Sequence, residues 1–200
     1  TSGYFDALSY FHGATFTQDA SFCRTTFTGY ARFSGAKFTK DANFSGATFT
    51  RDTDFTGAKF TENADFSKVE FTWSADFSKV EFTETNFTKA KFTWSADFSQ
   101  AKFAENADFS QAKFTRKADF SEAKFDEKPI FEYALDSETY KARFSHKANP
   151  EDYNFEVSDN SRYKIETEEK EYDGAKFIIP KGAELFNPDK PSEQGNNDGN

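Results

Sequence analysis

The sequence predicts an all-β fold, a four-sided parallel β-helix of about six coils with a small C-terminal cap. Three observations predict it. The first is composition: the chain has 28 Phe, no Met and very few Leu or Ile, so its core is built from aromatic rings and small residues. The second is a beat, because from Phe5 to Phe131 the phenylalanines recur at alternating spacings of six and five residues. The third is that the residue two before almost every Phe is small, as at Ala20, Ala31, Ala42, Ala64, Ala96 and Ala118.

The beat defines an 11-residue repeat of the form A-D-F-S-x-A-x-F-T-x-x, with one residue missing between Phe82 and Phe87. An 11-residue period can also wind a right-handed helical coiled coil. At about 100° per residue the two phenylalanines of each repeat would fall on separate stripes of a helix, not on one seam. The repeat is also rich in Thr, Ser, Asp, Asn and Gly, which are poor helix formers. In an extended strand, by contrast, residues i−2 and i share a side, so the small residue and Phe both point inward while the residue between them points out.

Strands this short bury Phe only by stacking coil on coil, which sets like side chains in ladders about 4.8 Å apart. The coil length shows in a slower rhythm. Two residues after every second Phe stand Glu62, Glu84, Glu105 and Glu127, and at the intervening positions Arg51, Trp73, Trp94 and Arg116. One coil is therefore two 11-residue repeats, with four Phe-bearing faces. The expected ladders begin at Phe5, Phe11, Phe16 and Phe22 and end at Phe114, Phe120, Phe125 and Phe131.

The segments ADFSKVEF, ADFSQAKF and ANFSGATF resemble the pentapeptide-repeat family, and the resemblance covers residues 3 to 131. It implies a right-handed, four-sided β-helix. Two departures stand out: the extra residue in alternate repeats, and the use of Phe alone at the centre.

The expected division is a solenoid over 1–131, a capping region over 132–186 and a disordered tail over 187–200. The cap covers an edge that would otherwise offer unpaired N–H and C=O groups. Within it, runs near Tyr153 to Val157 and Arg162 to Glu166 flank a turn at Asp159 and Asn160 and read as a hairpin, followed by a strand at Lys176 to Ile179. The tail has the polar composition of disorder. Repeat-like residues begin by Phe5, so the first coil is expected either to associate end to end with a second copy or to be the cut edge of a longer protein.

No stretch approaches the eighteen apolar residues of a membrane span, and the N-terminus lacks the basic start and apolar run of a signal peptide. Cys23 is the only cysteine, which excludes an internal disulfide. Catalysis finds little support: His12 and His146 lie far apart in sequence, and no glycine-rich phosphate loop occurs. The expectation is a non-enzyme with no cofactor, no metal site and no nucleic-acid partner.

The net charge of −9 is unevenly placed, since residues 1–131 hold 16 Lys and Arg against 18 Asp and Glu. The residue before Phe gives columns of like charge: Asp54, Asp76, Asp97 and Asp119 on one face, and Lys37, Lys59, Lys102 and Lys124 on the next, interrupted by Glu81. A carboxylate ladder offers oxygen ligands for Ca²⁺, but with few ligands per site it reads better as a solvated polar face. The candidate protein-binding site is the strip Arg51, Trp73, Trp94 and Arg116, outward at a corner with the composition of an interface hot spot. The functional expectation is a scaffold presenting that surface to a protein partner. The alternative is a DNA mimic that binds a type II topoisomerase such as gyrase, the best-known activity in the family, although mimicry asks for a more acidic rod. Ice binding asks for one flat Thr array, whereas Ser and Thr follow Phe on all four faces.

Overall fold

The computed structural model describes residues 3–5 and 8–190. It is a parallel β-helix in which each short strand pairs with the strand one coil away, as in Phe27 with Phe49 and Phe38 with Phe60. Three parallel sheets run along the rod, of eight, seven and nine strands. The largest comprises two faces, because Lys59–Asp65 and Glu81–Asn86 run unbroken around the corner between them. Six rings in a ladder make five steps, so the regular part completes about five turns. Among the described residues no helix is long and apolar enough to cross a membrane.

All four expected ladders form. Within them successive rings lie 4.6 to 5.3 Å apart and within 17° of parallel. Between ladders the rings meet edge to face: Phe44 stands at 90° to both Phe33 and Phe55. That pattern sets the positive ring edge against the negative ring face, which makes an all-Phe core cohesive. The alternating small residue is what makes room, and Ala36, Ala47, Ala58, Ala64 and Ala96 are fully buried beside the rings.

The five- and six-residue spacings make two kinds of corner. At each five-residue corner that follows the second or fourth ladder, the N–H three residues after Phe donates to the Phe carbonyl, as Ala36 to Phe33 at 2.9 Å and Val80 to Phe77 at 3.3 Å. The residue two after Phe has φ between 54° and 65°, the signature of a type II turn. Glycine fills that position at Gly13, Gly35, Gly46 and Gly57, but Arg24, Lys68, Lys79, Lys89, Gln100, Gln111 and Glu122 occupy it elsewhere. Each of the latter bears the steric cost of a side chain in the left-handed region.

The residue before Phe completes this corner. Oδ1 of Asp54, Asp76, Asp97 and Asp119 accepts the N–H two residues on, at 2.8 to 3.0 Å, and Asn43, Asp65, Asn86 and Asp108 do the same on the fourth face. The D-F-S motif is thus a turn device. The wide corners are held differently: the hydroxyls of Thr28, Thr39, Thr61 and Thr83 donate to the carbonyl of a Phe one coil earlier.

The missing residue falls at a wide corner. Phe60 and Phe82 are in register, as are Ala64 and Thr85, with an irregularity between Phe60 and Asn63 where the longer coil carries its extra residue. A wide corner can therefore lose a residue without moving either flanking ladder.

Beyond Phe131 the chain returns to the rod. Phe144 stacks on Phe114 at 4.9 Å, Phe155 on Phe120 at 5.7 Å, and Glu184–Phe186 adds a further strand beside Arg143–Ser145. Between these returns stand two antiparallel hairpins, Glu132–Leu135 with Glu138–Lys141 and Thr167–Tyr172 with Ala175–Pro180. The latter includes the strand expected at Lys176 to Ile179.

The hairpin expected over 153–166 is absent. Tyr153–Asn154 pairs instead with Ala118 and Asp119, and Tyr163 makes an isolated bridge to Phe125. The physical reason is that an unfinished sheet edge offers Tyr153 a parallel partner and a core position, with its hydroxyl donating to the Ser145 carbonyl at 3.0 Å. Burial raises that phenol well above its ordinary pKa. The stretch expected to be a disordered tail lies largely outside the described residues, which end with a turn at Asn187 to Lys190.

Candidate functional site

The wide corner between the first and second faces carries the candidate strip. Because this corner is a residue longer than the type II turn, the side chain two after Phe is free of any core position. Trp73 and Trp94 sit there on adjacent coils, each 44% exposed. Their rings stack at 5.9 Å and 30°, and the Arg116 guanidinium lies 4.3 Å from the Trp94 ring centre. Cation–π contact of this kind stabilises by about 0.5–1 kcal/mol at exposed sites. Trp94 is thus held between a ring and a cation, whereas Arg51 makes no such contact among the described residues.

The structure brings Trp73, Trp94 and Arg116 together and leaves Arg51 as the outer neighbour of the stack. It also adds residues that the sequence reading passed over. Leu8 and Tyr30 occupy the next position along the same corner on the first two coils and are 52% and 48% exposed. The 22-residue rhythm held their signal one place further on.

Elsewhere the charged columns are largely self-compensated. Glu81 accepts from Lys102 at 2.7 Å and Lys59 at 3.0 Å, so the two middle lysines of that column share one carboxylate. Those bonds hold the Glu81 carboxyl below the usual range. At the wide corner of the third and fourth faces, Lys40 pairs with Glu62 at 2.8 Å. Asp119 accepts from Lys117 at 3.1 Å; burial opposes its charge, but the Ser121 and Lys117 bonds outweigh burial and keep its pKa low.

Among the described residues no group of three or more His, Cys, Asp or Glu is placed to hold a metal ion. His12 accepts or donates to the Ser34 hydroxyl at 2.9 Å, and His146 stacks on Tyr172 at 3.6 Å, so the two imidazoles stay apart. Cys23 carries a free thiol whose sulfur accepts from Ser45.

No curated protein and no solved structure matches this chain. The family described as pentapeptide repeats does, in nine copies over residues 4–48, 33–81, 44–91 and 87–134. Those matches cover the ladders and both kinds of corner, and so the chain belongs to the pentapeptide-repeat family.

Proposed function

We propose that the protein is a non-enzymatic β-solenoid scaffold whose interaction surface is the corner strip Arg51, Trp73, Trp94 and Arg116. One observation carries the reading: two stacked tryptophans stand half-exposed on a corner that the fold does not need them to fill. Aromatic and Arg side chains at such a place are typical interface anchors. The rod supplies rigidity and the region 132–186 closes its far edge, with Ser158 donating to the Ala123 carbonyl and the Tyr163 N–H to that of Phe125.

The test is an affinity pull-down from lysate and envelope extracts of the source organism with wild type and the Trp73→Ala/Trp94→Ala double variant. The expected result is a protein held by wild type and lost from the double variant, with both melting together. Retention of the same protein by both would end the reading.

A second reading is association of two copies through the first coil. Phe5 is 37% exposed, and Phe11 and Phe16 are only partly buried, unlike their ladder mates. Its test is sedimentation of wild type against Phe5→Asp. The topoisomerase-mimic alternative asks for a rod dominated by negative charge, whereas residues 1–131 hold 16 Lys and Arg against 18 Asp and Glu, and inhibition of gyrase supercoiling decides it.

A further inference from the structure

On the first face the residues that precede the inward ring, or Leu185 on the last strand, run Glu70, Lys91, Lys113, Arg143 and Glu184, each in register with the next. Three cations thus stand on successive strands, spaced by one coil. Lys91 is neutralised by Glu70 on the strand before it. Glu184, on the strand after Arg143, is engaged by Lys141 at 3.5 Å. Lys113 and Arg143 are left in the middle, and no carboxylate among the described residues pairs with either.

The lysine column of the third face shows what the rod does elsewhere, because Glu81 stands between Lys59 and Lys102 and bonds both. Lys113 and Arg143 have no such intermediary. Lys113 is partly buried, and that burial together with Arg143 and Lys91 depresses its pKa. The Arg143 Nε is buried without any acceptor, and the guanidinium rests 5.3 Å from the Phe186 ring centre. Among the described residues no side-chain hydrogen bond fixes the fork, and the Phe186 ring face orients it.

We infer that Lys113 and Arg143 form an oxyanion site on the first face, one that takes a phosphate or carboxylate group between two neighbouring strands. A guanidinium fork binds such groups in bidentate fashion and an ammonium adds a point charge. The ligand would remove the repulsion between two cations on adjacent strands and accept from the outer N–H groups of the guanidinium, which no carboxylate among the described residues engages. The site is independent of the tryptophan strip and stands or falls without it.

The experiment is calorimetric titration of the full chain at low ionic strength with inorganic phosphate and, separately, with acetate. Saturable binding of either one, weakened about tenfold or more by Lys113→Gln and by Arg143→Gln, upholds the site, and the stronger of the two identifies the source chemistry. Arg143→Lys guards against a packing loss at Phe186 and is expected to bind with intermediate strength. Lys124→Gln, on the third face, should bind as wild type does. Absence of saturable binding with both anions, or an equal loss in Lys124→Gln, overturns the proposal.

Discussion

The two kinds of corner divide the labour of this rod. At the tight corner every group has a structural duty: the Phe carbonyl accepts the turn bond, the preceding Asp or Asn holds the N–H two residues on, and the third turn residue adopts positive φ. At the wide corner a Thr hydroxyl bonds back to the preceding coil and Asp41 and Asp52 each accept an N–H of the next, but the side chain two after Phe has no duty in the turn. The first kind accordingly repeats one motif along the rod. The second holds Glu, Lys, Trp and Arg two places after Phe, with no backbone conformation to restrict the choice.

The most forceful way to break that comparison is to delete one residue from each. Removing Ser78 shortens a type II turn and inverts the inward and outward positions that follow, so a loss of several kcal/mol and of cooperative unfolding is expected. Removing Glu105 reproduces the spacing that the chain already uses between Phe82 and Phe87, and a cost of about 1 kcal/mol is expected. Urea denaturation of both variants checks this; equal losses would mean that the corners are equivalent.

Next in size is a pair of substitutions at one turn position. Gly57→Ala has open space for its Cβ, so its expected loss of about 1 kcal/mol is conformational alone. Lys79→Gly removes the same strain and should stabilise by roughly 0.5–1 kcal/mol. A neutral result for both would show that the turn tolerates side chains without strain.

The smallest effect is a dependence on pH. The folded Asp119 carboxyl has a depressed pKa, so its contribution is present above the unfolded pKa of about 3.9 and is lost as pH falls through the folded value. Between pH 6 and pH 3 the urea midpoint of wild type should fall further than that of Asp119→Asn, which keeps the turn acceptor. Identical slopes would remove Lys117 and Ser121 as a source of acid sensitivity.

The ladders were legible because one residue type marks every inward position, and a single slip left the phase intact. The strip was legible because it shares a 22-residue rhythm with the Glu column. The return of the rod after Phe131 was not, although Ala142-Arg143-Phe144 has the small-x-Phe form. A hairpin replaces the five-residue corner there and carries the next ring to Phe144, beyond the reach of a spacing rule. Arg143 was hidden for the same reason, since its column is visible only once the strand is placed beside Lys113.

Because Phe27 and Phe49, or Phe38 and Phe60, occupy equivalent places 22 residues apart, the four-ring cross-section recurs from coil to coil, and the slip after Phe82 changes one corner only. Length is therefore a separate variable from shape: copying one coil moves everything beyond it along the axis by about 4.8 Å and disturbs nothing else. A gene built this way holds a ruler whose graduations can be added or struck out, and the spacing between the tryptophan corner and the cap is one of the distances it sets.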